Sequence, residues 1–235
     1  MDGILDDVRT ALKEAATEER RQSSQRFFKE EVRCYGVASA DVTKIAKRTF
    51  AGIKQQSKER IFALCEDLWQ SGMLEEGGVA CLWSHALEKR YEPGDMAVFG
   101  RWIDDYVNNW ASCDTLCNHS VGSLVTMYPE LAVELVGWAA SPNRWKKRAA
   151  AVSLIIPARK GLFLEEVFAI AERLLADPDD MVQKGYGWML KAASQAHQDA
   201  VFAYVMDRKK AMPRTAFRYA LEKMPQELRA QAMKK

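Results

Sequence analysis

Trp110 and Asp114 stand four residues apart in the stretch VNNWASCDTLCNHS, residues 107–120. On a helix that spacing puts an indole and a carboxylate on one face. Such a pair can stabilise a cationic transition state. It can also be a plain helix contact, with Asp114 a surface or capping group. Two further stretches carry related side chains. SPNRWKKRAAAVSL, from Ser141, supplies Arg144, Trp145, Lys146, Lys147 and Arg148, and DPDDMVQKGYGWMLK, from Asp177, supplies Lys184, Trp188 and Lys191. Cys113, Cys117 and His119 come nearest to a metal cluster. Five cysteines without a CxxC pair read instead as reduced helix cysteines beside a polar surface histidine, so neither metal nor cofactor is expected.

The elements that must position these residues are helices. LDDVRTALKEAATEERRQ, ERIFALCEDLWQSG, VACLWSHALEKR, PELAVELVGWAA, LEEVFAIAERLLA and DAVFAYVMDRKK all carry apolar residues at three- and four-residue intervals. No stretch alternates convincingly with period two, so strands are not expected. Breaks fall at Gly36, Pro93-Gly94, Pro129, Ser141-Pro142, Asp177-Pro178 and Pro213, which makes consecutive helices antiparallel neighbours.

The two long stretches are copies of one pattern. Each opens with a polar residue and Pro, then reaches a large apolar residue (Trp145, Met181), a cation three positions on (Arg148, Lys184) and small residues that allow close packing. The offset is 36 residues; Asn108-x-Trp110 precedes Asn143-x-Trp145 by 35, and MPRTAFRYALE is a weaker echo. A helix-pair repeat of this length predicts an all-α, HEAT-like solenoid with a concave binding groove, formed as a single domain over residues 1–235. Trp110 with Asp114, Trp145 with Arg148, and Lys184 with Trp188 then occupy equivalent helices and share that groove. Trp69, Trp83, Trp102 and Trp138 are assigned to packing. On residues alone, Arg148 and Lys184 could still be solvent-facing, but an acid among cations and indoles in one register is poorly explained by packing.

Composition bounds the setting. The chain has 48% hydrophobic and 28% charged residues, no apolar run near 18 residues and a charged N-terminus, which reads as a cytosolic globular protein without a membrane span or signal peptide. Net charge is only +2, yet from Val136 onward 18 Lys and Arg face 10 Asp and Glu. That asymmetry permits an anionic partner without requiring one.

At NWASCD (109–114), NRWKKRAA (143–150) and QKGYGWMLK (183–191), with a weaker match at FFKEEVRCYGV (27–37), the sequence resembles the AlkD family of bacterial DNA alkylation-repair glycosylases. The resemblance spans roughly residues 25–225. It implies excision of cationic N3- and N7-alkylated purines from duplex DNA, with Asp114 as catalytic carboxylate, Trp110 and Trp188 as aromatic walls and Arg148 as the cation near the lesion. Arg144, Lys146, Lys147, Lys184, Lys191 and Trp145 are the further candidates for contact with DNA. Members often carry a second aromatic where this chain has Asn109, and a polar residue where it has Ala38. The expected form is a monomer in the bacterial cytosol or nucleoid with no obligate protein partner. Two other classes stay open: a non-catalytic protein that recognises damaged or branched DNA, and a helical scaffold for a protein partner.

Overall fold

The computed structural model describes residues 3–234. Helix makes up 73% of the described residues. Among the described residues, β structure amounts to one isolated bridge between Arg33 and Met73. The chain divides into two compact units, one ending at Leu116 and the other beginning at Cys117.

The first unit contains α1 (Gly3–Ala15), α2 (Glu18–Phe27), α3 (Ser39–Ile53), α4 (Lys58–Gln70), α5 (Leu74–His85), α6 (Asp95–Asp105) and α7 (Trp110–Leu116). Helix α5 is its hub, packed against α3, α4 and α7. A three-residue turn joins α4 to α5, with Gly72 at a left-handed φ of 66°. The core is aromatic: Phe62, Phe99 and Trp102 lie with ring centroids 5.4–5.8 Å apart. Trp83 is also buried, its Nε1–H donating to the Ala46 carbonyl at 3.0 Å. Trp69, Trp83 and Trp102 are therefore packing residues, as expected. One helix was expected where two occur, because α1 stops at Ala15. The Thr17 hydroxyl accepts from the Arg20 N–H, and the Thr17 N–H donates to the Gly36 carbonyl, which starts α2 in a new direction.

The second unit opens with a π-helical turn, Cys117–Val121. There follow α8 (Gly122–Met127), α9 (Ala132–Trp138), α10 (Arg144–Val152), α11 (Ile155–Arg159), α12 (Leu164–Arg173), α13 (Asp180–Ala193), α14 (Gln198–Asp207), α15 (Arg214–Leu221) and α16 (Gln226–Met233). Helix α13 is the hub, packed on α10, α11, α12 and α15. It approaches α15 so closely that a Cβ on Gly187 would lie 2.7 Å from the Tyr219 Cβ and 2.9 Å from the Ala216 carbonyl.

The repeat read from the sequence is present in atomic detail. Ser141 Oγ accepts from the Asn143 N–H at 3.1 Å, and Asn143 Oδ1 accepts from the Trp145 N–H at 2.9 Å, capping α10. One repeat later Asp177 Oδ1 accepts from the Asp179 N–H at 2.9 Å, and Asp179 Oδ1 from the Met181 N–H at 2.8 Å, capping α13. Proline sits between in both copies, where no N–H is required. Trp145 and Met181 are both buried at matching positions. Charged contacts recur at the same period: Arg101 with Glu66 at 35 residues, Arg144 with Asp179 at 35 and Arg208 with Glu172 at 36. Each unit is thus a stack of repeats that touch their neighbours, the arrangement of a helical-repeat solenoid.

Candidate functional site

Helix α7 carries the acid and the indole, and Asn109 decides where it begins. Its Oδ1 accepts from the Ser112 N–H at 2.9 Å, and its amide donates to Ser112 Oγ at 3.1 Å and Asn108 Oδ1 at 2.9 Å. An aromatic residue could not make this cap, so Asn109 trades a ring for a fixed helix start. Ser112, Cys113 and Leu116 form the buried face of α7, leaving Trp110 and Asp114 half-buried.

The Trp110 ring is held by two phenylalanines from the end of α2. Its centroid lies 5.5 Å from Phe27 and 5.5 Å from Phe28, and the two phenylalanines meet edge to face at 5.6 Å. Phe27 is 68% exposed, an unusual cost for so large an apolar group. Beside these rings lies a cavity of about 360 Å³, whose wall includes Trp110, Thr115, Val42, Leu74 and Glu75.

Glu75 explains how the segment after Phe28 stays in place. Its buried carboxylate accepts three backbone N–H groups, from Tyr35 at 2.9 Å, Gly36 at 2.8 Å and Val37 at 3.0 Å. Gly36 has φ of 91°, and a Cβ there would lie 2.5 Å from the Thr17 carbonyl oxygen, so no other residue fits. The neighbouring Glu76 accepts from the Tyr35 hydroxyl at 2.7 Å and Arg9 Nε at 3.1 Å. Burial first, and then this hydrogen bond to a carboxylate, push the Tyr35 hydroxyl up to about 12.

In the second unit the candidate cations occupy α10 and α13. Arg144 packs over the buried Trp145 ring at 4.8 Å, and Lys146 over the half-buried Trp138 ring at 5.3 Å. Arg144 Nε lies 2.7 Å from Asp179, Lys147 Nζ 2.7 Å from Asp177, Lys184 Nζ 3.1 Å from Asp180 and Lys191 Nζ 3.1 Å from Glu222. Arg148 differs from these. It is buried, donates to the Met181 carbonyl and lies against Gly185, where an added Cβ would sit 3.2 Å from its Cγ. Trp188 is half-buried on α13. No group of three or more His, Cys, Asp or Glu among the described residues could hold a metal ion. All five cysteines are buried free thiols.

The model of one family, described as DNA alkylation repair enzyme, matches residues 8–224. The chain belongs to the DNA alkylation repair enzyme family. The fold agrees with a solved structure titled a predicted DNA alkylation repair enzyme from Enterococcus faecalis. That match has a TM-score of 0.81 at 15% identity and covers 90% of this chain and 97% of the other. Among curated proteins no match is found.

Membership of this family makes DNA the substrate and alkylation repair the role. No helix among the described residues is long and apolar enough to cross a membrane. For a DNA alkylation repair enzyme, two contributions were missed in the sequence. Phe27 and Phe28 were quoted only as part of a weak motif, although an aromatic pair ending a polar helix was a usable signal. In the sequence Asp177 reads only as the polar residue that opens its repeat, and Asp179 is not singled out, with no hint that they hold Lys147 and Arg144.

Proposed function

We propose that this protein is a DNA glycosylase that hydrolyses the N-glycosidic bond of cationic N3- and N7-alkylated purines in duplex DNA. The observation that carries this reading is the half-buried Trp110–Asp114 pair on a helix whose first turn is fixed by Asn109. Alkylation at N3 or N7 makes the purine a cation and hence a good leaving group. As the bond breaks, positive charge develops on the deoxyribose. A carboxylate fixed beside the sugar stabilises that oxocarbenium-like state and orients the attacking water. An indole face against the sugar and the cationic base adds cation–π stabilisation of about 0.5–2 kcal/mol. The ring is pre-positioned by Phe27 and Phe28, so little ordering remains to be done on binding.

In this reading Trp188 and Arg148 keep the roles that the family resemblance implies. Lys146, Lys147, Arg144, Lys184 and Lys191 serve DNA contact, whereas Trp145, expected to join them, is buried beneath Arg144 and supports that cation instead. Three of the ion pairs that hold these cations, those of Arg144, Lys184 and Lys191, are partly exposed, and exposed pairs contribute only about 0–1 kcal/mol, so phosphates can compete for them. The fourth, Lys147 with Asp177, has a buried carboxylate and a partly exposed ammonium. The protein acts as one functional domain, as a cytosolic monomer.

The test is single-turnover release of 7-methylguanine from methylated duplex DNA. Asp114→Asn keeps size and hydrogen bonding but removes the charge opposing the sugar cation. Release should fall on the order of 10²–10³ while duplex affinity stays near wild type. Trp110→Ala should slow release less. Near wild-type release by Asp114→Asn sinks the assignment, and wild-type protein that binds duplex without releasing base identifies a non-catalytic binder.

A further inference from the structure

We propose that Asp177 and Asp179 are built-in anionic competitors for DNA, occupying Lys147 and Arg144 until backbone phosphates displace them. The inference rests on the preceding reading, that the start of α10 meets phosphates.

Three cations, Arg144, Lys146 and Lys147, crowd the first turn of α10, with no acid beside them in that turn. A helix N-terminus is the positive end of the macrodipole, so cations are unfavourable there and call for an anion. The following repeat supplies it. Lys147 Nζ lies 2.7 Å from Asp177 Oδ2, and Arg144 meets Asp179 through Nε at 2.7 Å and Nη2 at 3.1 Å.

The repeat itself shows that negative charge at 177 and 179 is not needed for local structure. Asp177 and Asp179 form the turn and the cap of α13, but the equivalent Ser141 and Asn143 perform both tasks for α10 as neutral side chains. The geometry is the same in both copies; the charge is the difference. That charge falls where it meets the cations of the preceding helix. Its consequence is a surface whose cations are already engaged. Undamaged duplex must exchange two ion pairs for two phosphate contacts, which lowers non-specific affinity and speeds release.

The test is a cycle of four proteins: wild type, Asp177→Asn/Asp179→Asn, Arg144→Gln/Lys147→Gln, and the combination of all four changes. Asparagine retains the acceptor for the turn and the cap, and thermal unfolding verifies folding. Should the double Asn protein fail to fold, Asp179→Asn alone, at the more exposed pair, replaces it. Affinity for an undamaged duplex is measured across a salt series by fluorescence anisotropy. Removing the two carboxylates should tighten binding and steepen the slope of log K against log salt by up to about 0.9 for each released cation. The gain should vanish when Arg144 and Lys147 are also replaced.

An unchanged slope after the Asn substitutions overturns the proposal. A gain that persists without the two cations overturns it too, being a general charge effect. If loss of Arg144 and Lys147 weakens binding while the Asn substitutions change nothing, the phosphate-contact reading stands and only the competitor role fails. If neither pair of changes alters binding, the contact reading itself fails.

Discussion

The two units use buried and charged groups in opposite ways. In the first, carboxylates are drawn inside and spent on the backbone: Glu75 holds three N–H groups and Glu76 holds Tyr35. The proposed functional surface that results is aromatic, with Trp110 resting against Phe27 and Phe28. In the second, the carboxylates of Asp177, Asp179 and Glu222, one buried and two partly exposed, are matched to cations one repeat away. The same helix-pair repeat therefore supports a shape-defined region and a charge-defined region. Damage to the first should appear in the rate of chemistry, and damage to the second in salt-dependent binding.

The largest expected separation comes from pairing Asp114→Asn with a combined Lys146, Lys147 and Arg148 replacement by Gln. The first should cost about 10²–10³ in release with little loss of affinity. The second should weaken binding and reduce the salt slope by about 0.9 for each phosphate contact removed. Arg148 is buried, so unfolding must be followed alongside. Equal effects of both variants on rate and affinity would erase the distinction between the regions.

Glu75→Ala should destabilise the first unit by about 3 kcal/mol, because buried N–H groups left without an acceptor cost about 1–3 kcal/mol each and some will find water. Glu75→Gln keeps one acceptor and should cost less; urea unfolding reads both. Gly187→Ala probes the second unit by overpacking α13 against α15, with an expected loss of about 1–3 kcal/mol in the same measurement. A loss below about 0.5 kcal/mol would mean that α15 yields easily.

The smallest effect is a pH dependence. Tyr35 ionises near 10 when unfolded and near 12 when folded. Between those values the unfolded chain has lost a proton that the folded chain keeps, so stability falls as pH rises through that window. Tyr35→Phe should flatten this alkaline limb in part. Tyr186 and Tyr204, and the thiols of Cys34, Cys65 and Cys81, all raised by burial, contribute to the same limb.

Local pattern made much of this legible in the sequence. Apolar spacing located the helices, and the Ser-Pro-Asn and Asp-Pro-Asp openings exposed the repeat because their hydrogen bonds close within a few residues. Trp69, Trp83 and Trp102, assigned to packing because they fall outside the repeat register, are buried. What escaped depends on distant partners. Glu75 bonds backbone 38–40 residues away, and nothing in the neighbourhood of position 75 names that target. The break after Ala15 was hidden because α2 buries no residue and so carries no periodic signal. The partners of Arg144 and Lys147 were masked by a second task, since a capping aspartate gives no sign in sequence that its other oxygen holds a cation.

The burial of the cysteines has a consequence for the protein's own survival. Electrophiles that alkylate purines also attack sulfur, and the species that reacts is the exposed thiolate. Here every thiol is inside, and burial pushes those of Cys34, Cys65 and Cys81 up, away from ionisation. Alkylating agents thus find no ready thiol among the described residues of the folded chain. Iodoacetamide should label all five cysteines in denaturant and leave the native protein essentially unlabelled, so that repair capacity outlasts the exposure that calls for it.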